Sequence, residues 1–115
     1  MADVQQREAA RQLSCNEQKP TGIKPVVIEQ ICALAEKYGL RRVILFGSRA
    51  RGDFRPKSDI DLAAEGGNID AFRLAVEEET DTLLTFDVVD LDTDIQPALR
   101  DAIDKEGRII YEKVQ

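Results

Sequence analysis

The chain has 115 residues, a net charge of −6 and no histidine. The lack of histidine excludes Ser-His-Asp triads, Cys-His pairs and HExxH zinc sites, so any chemistry depends on carboxylates, hydroxyls, Lys, Arg and backbone groups. The acidic balance argues against general nucleic-acid binding, and no apolar run approaches the ~20 residues that span a membrane.

The chain is predicted to consist of an N-terminal extension, residues 1–22, and one domain, residues 23–115. The segment Met1 to Lys19 is polar and lacks the apolar stretch of a secretory signal, which favours a cytoplasmic location. Cys15 and Cys32 have no metal-binding spacing, so we expect reduced and chemically idle thiols.

The predicted elements alternate between helices and strands. In chain order they are helix 25–38, strand 42–46, helical turn 48–51, strand 59–63, helix 69–80, strand 84–91, helix 95–105 and strand 108–111. The helices are indicated by apolar residues at intervals of three and four, and the strands by short branched or alternating runs. This order predicts an α/β fold, a small mixed β-sheet with helices packed on one face.

The most informative stretch runs from Gly47 to Asp61. Asp59 and Asp61 are two residues apart on a predicted strand, so both carboxylates face the same side. Like charges this close indicate a cation between them, although two solvated acids on an exposed strand are the alternative. Gly47 and Ser48 lie at the start of a helical turn whose free N–H groups favour an anion, with Arg49 and Arg51 nearby to balance its charge. This combination suits a metal-bound triphosphate.

Asp87 lies within the otherwise apolar predicted strand 84–91. A charge in such a strand is unfavourable unless it is paired or metal-bound, so we expect Asp87 to supply a third carboxylate. A chance acid at the edge of the sheet is the alternative.

The motif resembles that of a known superfamily. Gly47-Ser48, ten residues and then Asp59-x-Asp61 resemble the Gly-Ser-x10-Asp-x-Asp signature of the DNA polymerase beta-like nucleotidyltransferases. The fuller text, Gly-Ser-Arg-Ala-Arg-Gly and then Ser-Asp-Ile-Asp-Leu, is similar to the minimal nucleotidyltransferase (MNT) branch. The resemblance extends from about Pro25 to Tyr111 and implies the nucleotidyltransferase fold.

The resemblance also implies a site. In that family the motif aspartates and a third acid hold two divalent ions, here expected to be Mg²⁺ or alternatively Mn²⁺. The implied catalytic and metal-binding residues are Asp59, Asp61 and Asp87. The implied nucleotide-binding residues are Gly47, Ser48, Arg49 and Ser58, with ATP as the expected substrate.

The function implied by the resemblance is metal-dependent transfer of AMP from ATP to an acceptor hydroxyl. The expected acceptor is a helical HEPN partner protein, with this chain as the antitoxin of a toxin–antitoxin pair. Two alternatives stay open, a non-catalytic antitoxin that blocks its partner sterically and a transferase acting on a small molecule such as an aminoglycoside.

Overall fold

The computed structural model describes residues 20–113. Within this range the elements are α1 (Pro25–Lys37), β1 (Arg42–Phe46), α2 (Ser48–Arg51), β2 (Ile60–Glu65), α3 (Ile69–Glu79), β3 (Phe86–Asp90), α4 (Pro97–Glu106) and β4 (Arg108–Glu112). The predicted extension 1–22, apart from residues 20–22, and Cys15 lie outside the described residues. None of the helices between residues 20 and 113 combines the length and apolarity that crossing a membrane requires.

The four strands form one mixed sheet in the order β3-β2-β1-β4. β1 pairs antiparallel with β2 and with β4, whereas β2 and β3 run parallel. The parallel pair is joined through α3, the kind of crossover that parallel strands need. The mixed sheet predicted from the sequence is therefore confirmed.

Apolar side chains cover both faces of the sheet. On one face, Val43, Leu45 and Leu62 pack with α1 and α3 in the larger core. On the other face, Ile44 packs with Ile103 of α4 in a smaller core. The prediction of helices on one face holds for α1 and α3 and is corrected for α4, which contributes one fully buried residue to the opposite face. Because α4 has so few buried apolar residues, its sequence alone does not predict which face of the sheet it covers.

Local signals set the helix starts. Pro25 and Pro97 occupy the first turns of α1 and α4, where the missing N–H group is not needed for helix hydrogen bonds. The side chain of Asn68 accepts a hydrogen bond of 3.2 Å from the Ala71 N–H and so caps α3. These signals determine where α1, α3 and α4 begin.

Cys32 lies half-buried on α1. Its thiol donates a hydrogen bond of 3.2 Å to the Ile110 carbonyl. Burial, followed by the charge of Glu29, raises the pKa of Cys32 to about 11, so the thiolate is scarce near neutral pH. These contacts agree with the expectation of an idle thiol.

Arg49 is a charged residue in the protein interior, with 1 % of its surface exposed. Its guanidinium donates to four backbone carbonyls, Thr21 O at 2.9 Å, Arg55 O at 3.4 Å, Pro56 O at 3.2 Å and Ser58 O at 2.9 and 3.0 Å. The guanidinium also lies 4.7 Å from the centre of the Phe54 ring. The loop between α2 and β2 is therefore bound to one buried cation.

We expect Arg49→Met to lower the free energy of unfolding by about 3 kcal/mol, because several carbonyls lose a charged donor while the apolar stem is kept. Urea denaturation measures the change. Lys57→Met, at an exposed position of the same loop, is the control and should change stability by less than about 0.5 kcal/mol. Identical unfolding curves for Arg49→Met and the unaltered chain would contradict the structural role.

Candidate functional site

Asp61 and Asp87 occupy matching positions on the parallel strands β2 and β3. Phe46, the last residue of β1, pairs with Asp61 from the other side. Because Ile60 and Leu62 are buried in the larger core, the alternation of side chains places Asp61 on the face that carries α4. The two acids thus meet where β1 ends and where β2 and β3 begin.

The burial of the two acids differs. Asp61 is half-buried, whereas Asp87 is exposed. Asp87 lies opposite Asp61, and its role at a metal site stays a prediction. The reason given for that prediction, the high cost of a buried charge, is wrong because the residue is exposed. β3 is an outer strand of the sheet that residues 20–113 form, so its residue 87 opens to solvent.

Asp59 directly precedes β2 and is exposed. Its carboxylate accepts a hydrogen bond from the Thr85 hydroxyl, at the residue that leads into β3. In the part of the chain that the structure describes, no three acidic or thiol side chains are gathered closely enough to hold a metal ion as they stand. The structure thus pairs Asp61 with Asp87 and leaves Asp59 bonded to Thr85, so metal binding by all three acids stays a prediction.

Asp61 is the electrostatic centre of the site. Its pKa is raised to about 6, first by burial and then by the negative charges of Asp87 and Asp59, against the opposing effect of Arg51 and Arg49. A divalent cation would relieve this repulsion, and carboxylate oxygens are the ligands that Mg²⁺ and Mn²⁺ prefer. The donor set therefore fits the expected metal.

Gly47 forms the corner between β1 and α2, with a φ of 75°. A Cβ atom at this position would lie 2.3 Å from Oδ2 of Asp61, so a larger residue would displace the carboxylate. The Gly47 carbonyl accepts hydrogen bonds of 3.1 and 3.0 Å from the N–H groups of Ala50 and Arg51, which starts the helical turn after Ser48. Gly47 thus makes room for the Asp61 carboxylate, a role that the sequence did not reveal. Phosphate binding by Gly47 and Ser48 stays a prediction.

Arg49 and Ser58, both predicted to support the nucleotide, have contacts within the protein. The Ser58 hydroxyl accepts a hydrogen bond of 2.9 Å from the Arg55 N–H, while its carbonyl accepts from Arg49. Burial lowers the pKa of Arg49, and the nearby Asp61 partly offsets this shift. The contacts favour a positioning role for both residues, and direct nucleotide contact stays a prediction.

Two further residues lie beside the acids: Thr85, which the sequence did not single out, and Arg51, which was predicted only as a nearby charge for an anion. Thr85 holds Asp59, and the charge of Arg51 lowers the pKa of Asp61. The sequence offered a weak signal for each, since Thr85 lies two residues before Asp87 and Arg51 lies three residues after Ser48. Neither spacing specifies a contact without the fold.

We expect Asp61→Asn to be more stable than the unaltered chain at pH 7.5 in the absence of metal. An acid whose pKa is raised on folding destabilises the fold when ionised, an effect complete above about pH 6 and lost below about pH 4. Discounted for solvent screening of a half-exposed group, the gain is about 1 kcal/mol, or about 4 °C in Tm.

Thermal unfolding between pH 4 and pH 7.5 with a chelator measures this effect. The difference in Tm between Asp61→Asn and the unaltered chain should shrink as the pH falls. Asp104→Asn, an exposed substitution on α4, controls for the loss of one negative charge. A difference in Tm that does not change with pH would contradict the assignment.

Comparison with known proteins agrees with this geometry. Residues 29–115 match the family described as Polymerase beta, Nucleotidyltransferase. The chain is 41 % identical over 63 residues, 53 % of its length, to MJ0604 of Methanocaldococcus jannaschii, which is described as a candidate protein adenylyltransferase. The aligned part spans 61 % of the length of that curated relative.

Solved structures share the fold. One described as a minimal nucleotidyltransferase is 30 % identical with a TM-score of 0.57, over 70 % of this chain and 86 % of the other. A toxin–antitoxin structure with AMP-PNP is 25 % identical with a TM-score of 0.56, over 75 % of this chain and 73 % of the other. A mutant of the toxin–antitoxin MntA-HpeT, 20 % identical with a TM-score of 0.59 over 75 % and 73 % of the two chains, supports the fold alone.

The resemblance seen in the motif is confirmed by these matches. The family match covers more than half of the chain, and the solved structures share its mixed sheet and helices. This chain therefore belongs to the polymerase beta nucleotidyltransferase family.

Proposed function

We propose that the chain is a metal-dependent nucleotidyltransferase that moves AMP from ATP to an acceptor hydroxyl on a helical HEPN partner protein, and so acts as an antitoxin. The observation that carries this proposal is the opposition of Asp61 and Asp87 on neighbouring strands, with Gly47 against the Asp61 carboxylate. Family membership supports the reaction class, and the protein adenylyltransferase description of the M. jannaschii relative supports a protein acceptor.

In this proposal, one set of site residues binds the metal ions and another binds the phosphates. Asp61 and Asp87, joined by Asp59, hold two Mg²⁺ ions, for which Mn²⁺ can substitute. Gly47 and Ser48 bind the β- and γ-phosphates. When bound, the ions supply the charge that activates the acceptor hydroxyl and stabilises the departing pyrophosphate.

The transfer itself is an in-line displacement. The acceptor oxygen forms a bond to the α-phosphorus while the bond from that phosphorus to pyrophosphate breaks, and the hydroxyl proton passes to solvent. The residues of this chain orient the reacting groups, and Asp61 must be ionised to do so. Because its pKa is about 6, this condition is met at neutral pH.

The openness of the site favours an acceptor that arrives on another macromolecule. Asp59 and Asp87 are both exposed on the face of the sheet that α4 covers only in part. A partner docked over this face would exclude water and so strengthen the electrostatic stabilisation of the transition state. The similar toxin–antitoxin structure with AMP-PNP supports both a toxin partner and a nucleotide substrate.

Incubation with ATP labelled at the α-phosphate, Mg²⁺ and a candidate HEPN protein that co-purifies with this chain tests the proposal. We expect label on the partner, located by mass spectrometry on a hydroxyl side chain. Asp59→Asn/Asp61→Asn and Asp87→Asn should each lower transfer at least about 100-fold, because the metal loses carboxylate ligands. Asp104→Asn, outside the site, should retain transfer.

The outcomes separate the candidate functions. Undiminished transfer by the double variant would remove Asp59 and Asp61 from catalysis. If neither form transfers label and both inhibit the partner equally, the chain is a steric antitoxin. If label appears on an added aminoglycoside and not on the partner, the acceptor is a small molecule and the protein-acceptor proposal fails.

A further inference from the structure

Thr85 is the residue that leads directly into β3. Its carbonyl accepts a hydrogen bond of 2.9 Å from the Ile60 N–H, which extends the pairing of β2 with β3 by one residue. Its hydroxyl donates a hydrogen bond to Oδ1 of Asp59. Thr85 is therefore joined to the start of β2 through both its backbone and its side chain.

The contact between Thr85 and Asp59 lies next to the pairing of Asp87 with Asp61. Thr85 precedes Asp87 by two positions, so alternation along the strand directs both side chains to the same side. The two contacts differ in charge. Asp61 lies opposite another carboxylate, whereas the side chain of Asp59 meets a neutral hydroxyl donor.

The backbone on both sides of Thr85 is anchored to a helix. The Asp81 N–H donates a hydrogen bond of 2.8 Å to the Gln30 side chain on α1. The Phe86 N–H donates one of 3.2 Å to the Glu77 side chain on α3. The side chain of Thr85 is itself β-branched and has few rotamers. Its hydroxyl is therefore held at a defined position before any ligand arrives.

The bond from Thr85 leaves half of the Asp59 carboxylate available. Within residues 20–113, the Asp59 side chain makes no other hydrogen bond and no ion pair, so Oδ2 keeps its lone pairs for a ligand. Carboxylates that bind metal ions are commonly oriented by a hydrogen bond from a second residue, and loss of that residue lowers metal affinity about 10- to 100-fold. Thr85 and Asp59 have the geometry of such a pair.

We propose that Thr85 is a positioning residue that orients the Asp59 carboxylate for the divalent cation, by bonding to Oδ1 and leaving Oδ2 to bind the ion. This inference rests on the proposed function and deepens it. Because the hydroxyl carries no charge, it restricts the motion of the carboxylate without neutralising the negative charge that attracts a cation. Thr85 therefore affects metal binding only through Asp59.

Titration of the full chain with Mn²⁺, followed by the electron paramagnetic resonance signal of the free ion, tests the inference without turnover. Thr85→Val keeps the shape of the side chain and the net charge but removes the donor, and should raise the apparent Kd of Mn²⁺ about tenfold. Thr85→Ser keeps the hydroxyl and should stay within about twofold of the unaltered chain. An unchanged or lower Kd for Thr85→Val would overturn the inference.

Thr80→Val is the matched control. Thr80 belongs to the same connection between α3 and β3, but its hydroxyl donates a hydrogen bond of 2.7 Å to the Val76 carbonyl and not to an acid. The same change at this position should alter the Kd of Mn²⁺ by less than about twofold. A rise as large as that for Thr85→Val would assign the effect to the loop as a whole and overturn the inference.

A double-mutant cycle tests whether Thr85 acts through Asp59. In an Asp59→Ala background, Thr85→Val should raise the Kd of Mn²⁺ by less than about twofold, because the carboxylate that Thr85 orients is gone. An equal loss of affinity in both backgrounds would contradict the positioning role, since it would show that Thr85 affects the site by another route.

The remaining outcomes distinguish this inference from the proposed function. If the unaltered chain binds Mn²⁺ and Thr85→Val binds it equally well, the inference falls and the proposed function stands. If the unaltered chain binds no Mn²⁺, metal-dependent transfer and the role of Thr85 both fall. Should Thr85→Val not fold, Thr85→Ala removes the same donor and takes its place in the titration and in the cycle.

Discussion

The site depends on one unfavourable interaction, the opposition of the Asp61 and Asp87 carboxylates across two neighbouring strands. Like charges directly opposite each other destabilise a sheet, and the partial burial of Asp61 adds to the effect. The apolar residues on the other face hold the strands in register, since Ile60 and Leu62 are completely buried there. Packing on one face of the sheet thus keeps the two carboxylates close together on the other face. A divalent cation between them would relieve their repulsion.

The cationic residues around the acids show how one short helix can serve two purposes. Arg49 and Arg51 are two positions apart, so their side chains leave the helical turn in different directions. One enters the interior and fixes the loop that leads to Asp59, while the other stays at the surface beside α4. The buried arginine therefore stabilises the loop through backbone carbonyls, whereas the surface arginine forms only side-chain ion pairs, with Asp53 and Glu106.

Much of this arrangement could be predicted from the sequence, because periodicity and end signals agree along the chain. The first predicted strand, 42–46, matches β1. The predicted strand 84–91 extends beyond β3 because Leu84 and Thr85 lie in the preceding loop and Leu91 in the following turn. The inward course of Arg49 could not be predicted, since it depends on carbonyls that only the folded loop brings together. The hydrogen bond between Asp59 and Thr85 likewise joins residues 26 positions apart.

The parallel pairing of β2 with β3 also affects how the third acid can be recognised in related chains. The segment between Glu65 and Phe86 passes over the sheet through α3, and its length is limited only by the need to return to the edge of the sheet. Insertions in this segment leave Asp61 and Asp87 opposite each other as long as β3 pairs with β2 in the same register. In an alignment of homologues the counterpart of Asp87 is therefore better identified by its place in the strand's inward–outward alternation than by its distance from the Asp-x-Asp motif.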